Sequence, residues 1–259
     1  MKTKILVVIT FALISFTSVA QSLVEKANAE YDADKYADAL TLYLQAAVDE
    51  GVSSDLYYNI GNTYYRMGEI GYSILYYERA LLLNPRNSDA RDNIKFVSSK
   101  IQTNIVQEKS FILQVVEDIV HLQSSDTWAI ISVICFLLFL GGILLYVFTS
   151  TILLRKIGFF GGGIMSVVTF VSILCAFSMR SAVESHDKAI VVSPSVTLCT
   201  VPRVPKDKSE EAFILTAGNK VTVVDSVENK VGDKSEKWYD VKADDTHRAW
   251  IKSSDIEII

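Results

Sequence analysis

The spacing of apolar side chains changes character along the chain, and each change marks a boundary. From Tyr57 to Pro85, "YYNIGNTYYRMGEIGYSILYYERALLLNP" reads as two short helices rich in aromatic residues and glycine. A further helix, "NSDARDNIKFVSSKI", is expected to start at a Ser88/Asp89 N-cap, where side-chain oxygens accept from the unpaired N–H groups of the first turn. In "FILQVVEDIVHL", residues Phe111, Val115, Ile119 and Leu122 share one stripe of an amphipathic helix. Two runs then lack any charge, Thr127–Ser150 and Ile157–Met179. Each exceeds the roughly 20 residues a helix needs to cross a hydrocarbon core. After Arg180 the pattern becomes short and alternating. "AIVV", "VTLCT", "AFILTAGNKVTVVD", "KWYDVKA" and "HRAWIK" read as five strands of an all-β domain. The expected architecture is multidomain: all-α helical repeats, a transmembrane α-hairpin, and an all-β small barrel.

The opening residues add a direction. "MKTKILVVITFALISFTSVAQ" has a basic start, an apolar centre and a small-x-small ending at Ser18-Val19-Ala20, which predicts a secretory signal peptide over residues 1–20. An uncleaved anchor is the alternative, and either one exports the domain that begins at residue 21. Arg155 and Lys156 lie in the short 151–156 segment between the spans, and short loops bearing Lys or Arg stay cytoplasmic. Both signals place residues 21–126 and 180–259 on the exported side of the membrane. Gly158 and Gly162 form a small-xxx-small pair, read as packing within the hairpin rather than as a dimerisation face. No ionisable residue interrupts either span, which argues against an ion or proton path. The juxtamembrane helix over 104–126 is expected to pack onto the repeats, because Glu117 and Asp118 match anionic lipid poorly.

Charge and chemistry narrow the classes further. Residues 21–126 carry 16 acidic and 9 basic side chains, so no basic face suggests nucleic acid. Cys135, Cys175 and Cys199 are far apart and the three histidines are scattered, so no disulfide, metal site or cofactor is expected. No nucleophile–base pairing or phosphate loop is recognisable, and "GFFGGG" falls inside a span rather than after a strand. An enzyme is not expected.

Shifting the sequence by 34 residues aligns Ala27 with Gly61, Asn28 with Asn62, Tyr31 with Tyr65, Leu40 with Ile74, Tyr43 with Tyr77 and Ala46 with Ala80. With Tyr57, Ile60, Tyr64, Ser73 and Pro85 in the second copy, this period resembles the tetratricopeptide signature. Two repeats and a capping helix are expected over 21–103. Three or more repeats are usually needed for stability, so the module is expected to lean on a neighbouring helix, the membrane or a partner. The resemblance implies a concave face lined by the first helix of each repeat, here Asn28, Tyr31, Asn59, Asn62, Tyr65, Arg66 and Asn93. Amides there can hydrogen-bond a peptide backbone while tyrosines offer flat apolar area. Equally, the asparagines can brace neighbouring helices. Asn28 and Asn59 match the asparagine slots of a carboxylate clamp, but Asp89 and Asn93 stand where its basic residues belong, so no such clamp is expected.

In the last 80 residues, "LTAGNKVTVV", "WYDV" and "AWI" resemble the bacterial SH3-like domain, with Trp238 and Trp250 as its tryptophans and Gly218 as its turn glycine. Ala249 and Asp245-Thr246 depart from that pattern at the usual ligand groove. The order of signal peptide, repeats, two spans and terminal barrel resembles the BatE-like family of the Bacteroides aerotolerance (Bat) group. That resemblance implies an inner-membrane protein, read here as a scaffold, working beside von Willebrand A-type membrane proteins and a MoxR-type ATPase in envelope or oxidative-stress tolerance. The alternative is a cell-wall sensor whose SH3-like domain binds peptidoglycan.

Overall fold

The computed structural model describes residues 22–101, 111–185, 187–231, 234–244 and 246–259. The expected signal peptide lies outside these residues, as does 104–110 of the expected juxtamembrane helix. The described residues fall into two compact units, one ending at Val52 and one running Ser53–Ile259.

The first unit is a helical pair, α1 (Leu23–Asp32) and α2 (Tyr36–Asp49). Ser22 and Glu25 form a reciprocal capping box that satisfies two otherwise unpaired N–H groups at the start of α1. Small residues let the helices meet: Ala27, Ala39 and Ala46 are fully buried beside Tyr43.

The second unit opens with α3 (Ser54–Met67), α4 (Ile70–Leu83) and α5 (Ser88–Ser98). Gly68 ends α3 in the left-handed conformation at φ 85°, which a Cβ would disfavour. The N-cap of α5 is Asn87, whose side chain accepts from the Ala90 N–H at 3.0 Å, not the expected Ser88/Asp89 pair. Asn87 also donates to Ser54, so the cap ties the start of α5 to the start of α3.

Next come α6 (Phe111–Val120), α7 (Ser125–Phe148) and α8 (Ile152–Glu184). Two of these, α7 and α8, are long and apolar enough to cross a membrane. Their connection is shorter than the expected 151–156 loop. Only Thr149–Thr151 separate the helices, and Arg155 and Lys156 lie within the first turns of α8. At its other end α8 runs past Met179 to Glu184, where Arg180 and Glu184 pair at 2.8 Å one turn apart. Residues 180–184 are therefore helical and not the start of the β domain. The helices pack through glycine: a Cβ at Gly158 would meet the Gly142 carbonyl oxygen at 2.6 Å, so this small-residue pair is used within the hairpin. Among the described residues α6 lies beside α8, and Val115, Val116, Ile119 and Leu122 are exposed. The side chains of Phe111 and Glu117 lie outside the described residues.

The C-terminal strands are β1 (Lys188–Val191), β2 (Ser195–Cys199), β3 (Glu211–Thr216), β4 (Lys220–Val231), β5 (Lys234–Lys242), β6 (Arg248–Lys252) and β7 (Ile256–Ile258). They form one antiparallel sheet in the order β3-β2-β6-β5-β4-β1-β7. All seven strands feed one core, which includes Val191, Leu198, Leu215, Val221, Val241, Ile251 and Ile256. The expected closed barrel is not formed. Closure would require β3 to pair with β7, whereas β7 pairs with β1 at the far edge and the sheet stays open. The run from Ala212 to Asp225, expected as one strand, is divided into β3 and β4 by a turn at Gly218, φ 90°.

The sheet sits on the back of α4. Ile190 of β1 is fully buried in a cluster with Ile74, Leu75, Tyr77, Ala80, Ala90 and Val97. A Cβ at Gly71 would meet the Val191 carbonyl oxygen and the Val192 Cα, both at 2.7 Å. Polar contacts ring this apolar seam: Glu78 pairs with Lys220 at 2.8 Å, and the Arg79 guanidinium donates to the Ile258 carbonyl at 2.7 Å. The support that a short helical array needs is thus supplied from the far end of the same chain.

Candidate protein-binding surface

Two of the asparagines expected on the first helix of each repeat, Asn28 and Asn62, hold the helices together. In the first unit the Tyr43 hydroxyl donates to Asn28 Oδ1 at 2.5 Å. In the second, Tyr77 donates to Asn62 Oδ1 at 2.7 Å. These two bonds are one repeat apart at both ends. Asn93 of α5 adds a second donor to Asn62 at 2.9 Å and another to the Tyr77 oxygen at 3.2 Å. Asn62, Tyr77 and Asn93 therefore form a partly buried network joining all three helices, where each polar group has a partner. Burial pushes the Tyr43 hydroxyl up to about 12, so it stays a donor across the physiological range.

The remaining expected residues are more open. Asn59 is half-buried, and its backbone carbonyl accepts from Thr63. Arg66 is exposed in the last turn of α3. In the first unit Tyr31 packs edge-on to Tyr36, ring centroids 5.4 Å apart. Tyr65 belongs to a cluster that sequence reading did not identify. Its ring meets Phe96 edge-on at 6.0 Å, and Lys100 Nζ lies 4.1 Å from the Phe96 centroid while donating to the Tyr65 hydroxyl at 2.5 Å. Phe96 remains 52% exposed, so an aromatic face with a fixed cation above it is open to contact. The signal lay in and just after α5, where Phe96 follows Asn93 by three residues and Lys100 follows Phe96 by four.

Residues 54–87 match the tetratricopeptide-repeat family model. No curated protein matches the chain. The matched segment covers α3, α4 and the Asn87 cap, so the tetratricopeptide repeat is the part of the chain that also carries the sheet. A tetratricopeptide repeat is a protein-interaction module, and here its two sides differ. The α4 side is occupied by β1 and the Gly218 turn, with Gly218 within close reach of Ile74 and Ile101. The α3–α5 side keeps Arg66, Tyr65, Phe96 and Lys100 at the surface.

A second aromatic group underlies the repeat. Tyr64 stacks on Tyr72 at 5.1 Å and on Tyr76 at 5.4 Å, and Tyr57 meets Tyr76 edge-on at 5.6 Å. Burial, reinforced by Tyr76 and Tyr72, pushes Tyr64 up to about 12. Burial also raises Tyr76, opposed by the Arg79 guanidinium over its ring. Because Arg79 also bonds Ile258, this stack links the tetratricopeptide repeat to the last strand.

Of the two tryptophans aligned with the SH3-like pattern, Trp238 is buried and Trp250 half-buried. Trp238 is part of the domain interior, and its indole N–H has no partner among the described residues.

Proposed function

We propose that this protein is a membrane-anchored, non-catalytic adaptor that takes protein partners on its tetratricopeptide repeat. The observation carrying the reading is the junction itself: one chain joins a tetratricopeptide repeat, two helices able to cross a membrane, and a sheet seated on the repeat's α4 side. With α4 occupied, the partner surface is the α3–α5 side. There Tyr65, Arg66, Asn59, Phe96 and Lys100 supply contact, while Asn62 and Asn93, and Asn28 and Tyr31 in the first unit, hold the helices in shape. Anchoring raises the effective concentration of a small surface toward membrane-resident partners, so that weak contacts suffice.

The finer reading places the repeat and sheet on the exported side, with Arg155 and Lys156 inside and residues 1–20 acting as a signal peptide. The sheet is read as a divergent SH3-like domain, and the order of segments supports a role in a Bat-type envelope or oxidative-stress complex with von Willebrand A-type proteins as partners.

The test is co-purification from membranes, comparing wild type with an Arg66→Ala/Phe96→Ala variant. Neither side chain belongs to the Asn62 network, so the fold is retained. Loss of a membrane protein from the variant's partners, at unchanged abundance, is the expected result. Retention of every partner contradicts the proposed surface.

A further inference from the structure

Between the repeat and the first long helix, α6 presents a face that no part of the described chain covers. Val115, Val116 and Ile119 are 40%, 51% and 41% exposed. These positions fall on one side of a helix by their spacing. A contiguous apolar face left open in a folded chain marks an interaction site.

The geometry points to a lipid surface as its occupant: we infer that α6 lies in the membrane–water interface with Val115, Val116 and Ile119 facing the bilayer. Three observations converge, and all rest on the membrane-spanning reading of α7 and α8. The first is depth. Asp118, His121 and Leu122 line the same cavity, about 500 Å³, as Met179, Ala182, Val183 and Ser185. Those α8 residues begin where its uncharged run ends, at the level of the Arg180–Glu184 pair. At 24 residues α7 rises about 36 Å, against a hydrocarbon core of about 30 Å, so its first turn, directly after α6, reaches the headgroup level.

The second observation is attachment. Ser124 caps α7 with its side chain accepting from Thr127, and the Trp128 indole N–H donates back to the Val120 carbonyl at 3.0 Å. The turn between α6 and α7 is thus fixed by an aromatic residue of the kind that favours interfaces. The third is continuity. Exposed apolar residues carry on past that turn into α7, where Ile130, Val133 and Ile134 are each more than half exposed. Asp118, which would repel anionic lipid, is directed instead into the cavity shared with Arg91, Lys95, Lys188 and Lys220. An interfacial helix needs this division, with apolar residues toward the acyl boundary and charge on the other side. Anchored in this way, α6 would hold the repeat close against the membrane.

The test uses the full chain in vesicles of phosphatidylethanolamine and phosphatidylglycerol. Spin labels are placed singly by Val116→Cys, Asp118→Cys, Ile119→Cys and, within α7, Val133→Cys, with the wild-type chain labelled in parallel as background. Accessibility to oxygen, which concentrates in lipid, is compared with accessibility to a water-soluble nickel chelate. The expected result is a several-fold higher oxygen-to-nickel ratio at 116 and 119 than at 118, approaching that at 133. Water-like values at 116 and 119 with a lipid-like 133 would overturn the inference while sparing the membrane reading. Low accessibility to both reagents at 116 and 119 would overturn it too, since protein would then cover the face. A water-like value at 133 would remove the membrane reading itself.

Discussion

The two helical pairs share a 34-residue period and an internal bond, yet their outer faces have diverged at matching positions. Tyr43 bonds Asn28 as Tyr77 bonds Asn62. On the outer side of the second helix, Ala37 and Thr41 of α2 are exposed, whereas their counterparts Gly71 and Leu75 in α4 are buried. Gln45 is exposed, and its counterpart Arg79 bonds Ile258. The difference teaches how a repeat acquires a docking face. Glycine in place of alanine at 71 admits the β1 backbone, leucine's isobutyl group in place of threonine's hydroxyethyl group at 75 supplies apolar area, and an arginine at 79 reaches a strand-end carbonyl. The interior asparagine–tyrosine bond that makes the pair a pair is left untouched.

Swapping residues between the pairs is the direct way to break the comparison. Leu75→Thr, which gives α4 the residue of α2, is expected to cost about 2–5 kcal/mol by emptying the seam and burying a hydroxyl. Thr41→Leu should stay within about 0.5 kcal/mol, since the site is exposed. Urea unfolding of the full chain in detergent, read by circular dichroism, measures both. Gly71→Ala should cost about 1–3 kcal/mol by overpacking against Val191 and Val192. The reverse change, Ala37→Gly, should cost about 1 kcal/mol from helix propensity alone and leave the sheet unaltered. Limited proteolysis distinguishes them, because only Gly71→Ala is expected to loosen the sheet.

Two further substitutions sharpen what the pairs share. Tyr43→Phe and Tyr77→Phe should each cost about 1 kcal/mol, the second more because Asn93 also donates to the Tyr77 oxygen. The same unfolding measurement ranks them. The smallest contrast lies in the turns, where Asp34 at φ 59° stands in the place of Gly68 at φ 85°. Gly68→Ala should cost about 1 kcal/mol, whereas Asp34→Gly should alter stability by less than that, its relief of backbone strain offset by loss of the bond from Tyr36. Melting temperatures of the two variants provide the check.

Much of this organisation was legible in the sequence because it arises from local periodicity. The period placed Asn28 over Asn62 and Tyr43 over Tyr77, and uncharged length located α7 and α8. What was hidden depended on contacts between distant segments. Ile190 meeting Leu75 leaves no local trace, although the Ala37/Gly71 and Thr41/Leu75 differences are its imprint within the repeat itself. Whether the amides bind a peptide or brace helices was open for the same reason; the structure engages Asn28, Asn62 and Asn93 in bracing. The barrel was overread because alternation specifies strands but not which two edges meet. Helix α8 outran its uncharged core because charge ends a membrane-crossing run but not a helix: Arg180–Glu184 holds no glycine or proline, and Arg180 and Glu184 pair one turn apart.

The tetratricopeptide repeat and the sheet are expected to stand or fall together through the α4–β1 seam. Hydrogen exchange by mass spectrometry on the full chain, wild type against Gly71→Ala, tests it most directly. Faster exchange is expected in both α4 and the β1–β4 ladder of the variant, with α1 and α2 unchanged. Acceleration confined to α4, with the β1–β4 ladder as protected as in wild type, would contradict it.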